Sequence, residues 1–418
     1  MQTGVEIVLV HKPGLPIFSA RLVLSRGPRD VRGTRPEAIA MGIRALLSAD
    51  PDALELGASG GCMPEGCSLS TSGPLEQLDA SIALLGDLAV SPPYNKVWAT
   101  KEAQRARDAW FEAPGGGAVD DNMAALLFAP GDAYAPLPVG AEKAVAETSA
   151  TTLYEVHEQI FQPEHATLVV AGDVEMDRLK TTAQLVFGPW SRRVPELPRR
   201  TDEPAPAPPD ARAAHIDRRG ILVHGYLSAR GPVAGDPDLD ALSLLIAVLG
   251  APKGRLHDAV RSGLGAVYSF DTKWEVGRTA SWMAIGGPFE LEKAQPAMMA
   301  VATALRAARD SGLPAAEIEG ARSRLISALR ERLSTTRGIT RLLAESLAQG
   351  RPAEDALAQQ ARLAAVTPAD IQRAARKWLA EDRLRLVLVG PEKYLLLGFE
   401  KLGVGPLKWR SFRGELLR

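Results

Sequence analysis

Few side chains of this 418-residue chain stand at spacings that chemistry uses. In "RSGLGAVY", Arg261 and Tyr268 lie at the two ends of a short run. A guanidinium fork can pair with a carbonyl or carboxylate, and a phenol can donate to a developing oxyanion. On spacing alone the two are a helix-end charge and a strand aromatic. "GASGG" places Ser59 in a G-x-S-x-G pattern. A nucleophile elbow needs a strand before it and a helix after it, and here the order is reversed, so a serine hydrolase is not expected. The histidines (His11, His157, His165, His215, His224 and His257) are scattered, and no His-x-x-Glu-His or inverted form occurs. His157 and His165 flank a helix end and a strand start and are expected to be ordinary core or surface residues.

Cys62 and Cys67 are the only cysteines. Their number excludes a disulfide framework, and no further metal ligand lies close in sequence. They are expected as small, half-buried residues near a strand. "PGGG" at 114–117 has no following Lys and predicts a helix break, not a phosphate cradle; no Walker A or dinucleotide fingerprint is present.

The elements that must hold these residues follow from composition and periodicity. Hydrophobic residues make up 46% and charged residues 24%, with a formal net charge of -1. That is an ordinary globular balance with no basic field for nucleic acid or anionic lipid. No apolar run approaches a membrane span. The N-terminus enters a strand pattern without a secretory leader, so a cytoplasmic location is expected. Strand patterns at "VEIVLVHK" and "FSARLVLSRG" lead through a Pro-initiated turn into a helix over 36–48, apolar at Ile39, Ile43, Leu46 and Leu47. Helices over 75–91, stopped by Pro92 and Pro93, and over 95–113, and a buried strand over 166–174 follow.

Pro- and Ala-rich residues 194–214 lack apolar periodicity and read as an extended linker between two domains, 1–193 and 215–418. The end of the second domain repeats the end of the first. Thr148 and Thr367 each begin a helix that leads to a strand ending at Gly172 or Gly390. The chain is therefore read as a tandem duplication of one α+β module, its strand groups followed by long helices.

The order of "EIVLVHKPGLP", "LSRGPRD", "ATLVVAGDV", "KGRLHDAVRSGLGAVYS" and "VTPADI…LVLVGP" resembles the M16 metallopeptidases, the insulinase and mitochondrial processing peptidase group, in the short two-domain M16B form. The resemblance implies two homologous α+β domains, each an antiparallel-rich sheet packed with helices, that form half of a clamshell around a peptide chamber. In active members the helix aligned with 36–48 carries His-x-x-Glu-His, whose i and i+4 imidazoles bind one zinc while the Glu serves as general base.

Here those positions hold Met41, Arg44 and Ala45, and the distal ligand position falls on Ala109, with Asp108 and Glu112 close by. A thioether is a poor ligand for hydrolytic zinc, and a guanidinium repels it. The resemblance therefore implies a zinc-less chain that keeps Arg261 and Tyr268 as substrate-binding residues. Zinc is expected in a His-x-x-Glu-His-bearing paralogue, with this chain as the inactive half of a heterodimer acting on peptides. The alternative is a non-enzymatic scaffold or peptide-binding protein of the same fold. Neither nucleic acid nor membrane is an expected partner.

Overall fold

The computed structural model describes residues 4–31, 36–112, 116–129, 132–134, 148–192, 195, 198–207, 212–266, 270–395, 398–405, 407–410 and 417. In chain order the first module contains β1 (Glu6–His11), β2 (Ile17–Leu24), α1 (Pro36–Ala49), α2 (Pro51–Glu55), β3 (Ser59–Met63), β4 (Gly66–Pro74), α3 (Leu78–Val90), α4 (Lys96–Glu112), α5 (Gly116–Leu127), α6 (Ala150–Ile160), β5 (Ala166–Gly172) and α7 (Met176–Phe187). The second contains β6 (Ala213–Asp217), β7 (Leu222–Gly231), α8 (Leu239–Leu249), β8 (Asp271–Val276), β9 (Ser281–Glu290), α9 (Ala294–Asp310), α10 (Ala315–Ser334), α11 (Thr336–Ala348), α12 (Glu354–Ala365), α13 (Pro368–Trp378), β10 (Arg385–Gly390) and β11 (Lys408–Arg410).

The sheets carry the duplication. The first has the order β1-β5-β2-β4-β3, and the second β11-β6-β10-β7-β9-β8. Stripped of β11, the second order is the first repeated strand for strand. Among the matched strands of each, one parallel pair (β1 with β5, β6 with β10) adjoins an antiparallel run, and β11 adds a second parallel pair with β6. Both sheets are α+β in character, as the sequence led us to expect.

Each sheet is apolar on both faces, because alternate residues of a strand point to opposite sides. On β2, Phe18, Ala20, Leu22 and Leu24 join a core built with α1, α3, α6 and α7. Val23 of β2 and Val169 and Ala171 of β5 face the other way, under Ile339, Leu342 and Leu343 of α11. On β10, Leu386 and Leu388 enter the core with α8, α9 and α13, whereas Val387 and Val389 lie under Met123, Leu126 and Leu127 of α5.

The compact units therefore exchange segments. One consists of 1–109, 141–201 and 328–358, the other of 110–140, 202–327 and 359–418. A plain cut at 194–214 would leave each sheet without the helix on its second face. Part of that stretch is also structured: Ala129 N–H donates to the Ala205 carbonyl and Ala207 N–H to Leu127, and β6 begins at Ala213.

Two local readings are corrected. The cap that begins α6 is Ser149, not Thr148: its hydroxyl accepts from the Thr152 N–H. Thr367 caps α13 as the sequence suggests, in a reciprocal box with Asp370. The cysteines do not stand as two free thiols. Cys62 and Cys67 are directly paired across the β3–β4 hairpin, and their sulfurs are bonded. The hairpin register brings them together, which a count of cysteines could not reveal.

Closing so short a loop stabilises by about 2 kcal/mol through the unfolded chain. The Cys62→Ser/Cys67→Ser variant should lose roughly that amount in urea unfolding under non-reducing conditions, and the gap should vanish in excess reductant.

His215 gives a second test. It is 1% exposed on β6, between the rings of Trp409 and Phe399, and neither ring nitrogen has a partner among the described residues. Burial lowers its pKa from 6.5 to about 4. Between those values the unfolded chain takes up a proton that the folded chain refuses, so stability falls as pH drops through that window, by roughly 3 kcal/mol in total. His215→Leu should flatten the acid side of the stability–pH curve; an unchanged slope would show that His215 is not its source.

Candidate functional site

The helix aligned with the zinc helix, α1, is amphipathic: Ile39, Ile43 and Leu46 are buried in the core. Ala45 lies in the same core and is itself fully buried. Met41 falls within α1, but its side chain lies outside the described residues, as do those of Asp108, Ala109 and Glu112 at the end of α4. A residue four positions after Met41 that is only a methyl in the core contributes no lone pair to that face of the helix.

Arg44 projects from α1 toward α4. Its Nε stands 3.6 Å from Oε2 of Glu102, a side chain only 1% exposed. Arg105, one turn further along α4, places Nη1 2.6 Å from Oε1 of the same carboxylate. The Ser48 hydroxyl, on α1, lies 3.4 Å from Oε1. Burial removes Glu102 from water, and the two guanidiniums together with the hydroxyl satisfy its oxygens. The cluster holds two permanent cations and one carboxylate already committed to them. Arg44 is a permanent cation that neither accepts a proton nor binds a metal. A zinc ion does not fit these residues: a cation already sits against the buried carboxylate.

Sequence reasoning missed Glu102, having looked for a distal carboxylate near Ala109. The available signal was helical spacing. Ala99 and Glu102 share the buried face of α4, and an acid on such a face requires a cation from a neighbouring element.

Arg261 is exposed and lies in the segment Asp258–Gly263, which is wound as a π-helix; its Nη1 is 3.5 Å from Nε2 of His257. Single π turns are uncommon and recur at functional sites, because the widened turn re-aims side chains. Gly265, with φ of +56°, makes the bend that follows, and its carbonyl accepts from Lys293 Nζ. Tyr268 lies outside the described residues. Ser59, of the G-x-S-x-G pattern, opens β3 and exchanges a hydroxyl–hydroxyl bond with Ser70 at 2.9 Å, an ordinary cross-strand contact. His157 is buried between the Ala89 carbonyl and the Tyr94 hydroxyl and stacks on Phe161. Desolvation raises the pKa of Tyr94 well above the ordinary phenol value, so it remains a neutral partner.

The Glu102 cluster makes a thermodynamic prediction. Arg44→Ala with Arg105→Ala strands a buried carboxylate and should cost about 3–5 kcal/mol. Adding Glu102→Leu should restore most of that, since an apolar side chain needs no counter-charge. Equal stability of the double and triple variants in denaturant titrations would contradict the assignment.

Residues 148–325 match the family model described as "Peptidase M16 inactive domain". No curated protein matches the chain in sequence. Among solved structures, a peptidase M16 inactive domain from Pseudomonas fluorescens is similar with a TM-score of 0.81 at 18% identity, over 93% of this chain and 96% of that one. A chain of complex III2 from Candida albicans is similar with a TM-score of 0.77 at 14% identity, over 96% of each. The periplasmic protease PqqL from Escherichia coli is similar with a TM-score of 0.71 at 15% identity, over 93% of this chain and 45% of that one. At such identities these structures share the fold. Residues 148–325, fewer than half of the chain, are thus similar to the peptidase M16 inactive domain, and the fold is the one these structures share.

Proposed function

We propose that the chain is the zinc-less subunit of a two-chain M16B peptidase, the hydrolytic centre belonging to a paralogue with His-x-x-Glu-His. The observation that carries this reading is the Arg44–Glu102–Arg105 cluster, which fills the place of a zinc helix with a cation and its counter-charge. Arg261, exposed on its π turn, would hold a peptide carbonyl or carboxylate, with Tyr268 donating to the oxyanion.

A second reading, a scaffold or peptide-binding subunit without a part in catalysis, draws on the same fold. It is favoured by β3, the outer strand of the first sheet, where Ser59, Gly60 and Gly61 are exposed and the free edge could pair with an extended peptide. The Cys62–Cys67 bond favours an oxidising compartment over the cytoplasm expected from sequence. No described helix is long and apolar enough to cross a membrane.

The purified chain should cleave no peptide and carry no stoichiometric zinc, and activity should appear on mixing with the paralogue. In that mixture Arg261→Ala and Tyr268→Phe should each lower kcat/KM by roughly tenfold or more, the effect of losing one transition-state donor. Zinc bound at one equivalent to the single chain would overturn the proposal; unchanged kinetics in both variants would favour the scaffold reading.

A further inference from the structure

The first unit contains a cavity of about 710 Å³ that the peptidase reading does not use. Its apolar wall comes from the β1–β2 turn and the start of β2: Leu15 and Ile17 are 65% and 41% exposed. Such side chains left open beside a cavity offer an apolar ligand a place to shed water.

The opposite wall is cationic. Arg337, in the first turn of α11, gives its Nε to the Ser72 hydroxyl, and its Nη groups have no partner among the described residues. Lys12, from the end of β1, reaches the Ser334 carbonyl with one of three ammonium donors. Thr335 caps α11 by accepting from the Gly338 N–H, so the Thr336 and Arg337 N–H groups remain without an intrahelical acceptor at the positive end of a 13-residue helix. No carboxylate is among the described residues that line the cavity; Asp173, just after β5, is engaged by the Gly14 N–H and His11.

We infer that this cavity captures the C-terminus of a peptide chain ending in an apolar residue. The α-carboxylate would sit between Arg337, Lys12 and the first-turn N–H groups, and the last side chain would lie against Leu15 and Ile17. Charge complementarity selects the carboxylate, and the exposed apolar wall selects the side chain. The hydroxyls of Ser72, Thr335 and Thr336 around the cationic end favour a peptide over a fatty acid, because a peptide brings an amide to pair with them and an alkyl chain does not. This inference goes beyond the proposed function and needs neither partner nor zinc.

The experiment uses the full chain alone and a fluorescein-labelled hexapeptide ending in Leu, as the free acid and as the amide. Anisotropy titration should show the free acid binding and the amide weaker by roughly tenfold or more. Arg337→Glu should abolish the preference for the acid. An acidic residue suits the first turn of a helix, so this variant should keep its circular dichroism and unfolding midpoint. Leu15→Asp, at a well-exposed position, should weaken both peptides. Equal affinity for acid and amide, binding of neither at millimolar concentration, or decanoate binding where the peptide does not would each overturn the inference. Free-acid binding by the single chain without peptidase activity in the mixture would leave this site standing and remove the two-chain reading.

Discussion

A sheet with apolar side chains on both faces must be covered twice, and this requirement shapes the whole chain. Each module provides one layer from its own helices: α1, α3, α6 and α7 in the first, α8, α9 and α13 in the second. The second layer is led by a helix drawn from the other half of the sequence, α11 on β2 and β5, joined there by Leu329 of α10 and Ala356 of α12, and α5 on β7 and β10. Water would otherwise reach Val23, Val169, Val387 and Val389, all essentially buried. The hydrophobic effect thus makes two sequence repeats into units that neither repeat can complete alone.

Much of this was legible from residues. Strand alternation and helix caps placed most elements, and the repeat of Thr–helix–strand–Gly was enough to see the duplication. Thr367 kept its role, while the first cap moved by one residue to Ser149, a shift that turns on which hydroxyl the backbone presents to an open N–H. The exchange of α5 and α11 was not legible. An amphipathic helix records that it has a buried face but not which sheet covers it, and both helices lie far in sequence from their sheets.

The site was read less completely, for the same physical reason. The family resemblance aligned Met41, Arg44 and Ala45 with the positions of a zinc helix. It did not reveal that Arg44 serves a buried acid, because Glu102 lies on another helix more than fifty residues away. The Cys62–Cys67 bond was lost by counting cysteines where the hairpin register was the deciding quantity. Arg261 was singled out by the family resemblance, and the π turn on which it lies depends on backbone geometry with no simple residue signature.

The exchanged helices also set an order of events during synthesis. When β5 leaves the ribosome at Gly172, the first sheet has all its strands, yet α11 is complete only at Ala348. At about 5–20 residues per second, that interval is on the order of ten to thirty seconds. Throughout it, Val23, Val169 and Ala171 have no covering helix, and β3 is the outer strand of the same sheet. A nascent chain in that state presents a long-lived apolar sheet face, a natural substrate for a holdase chaperone and a point at which two growing copies could borrow one another's α11.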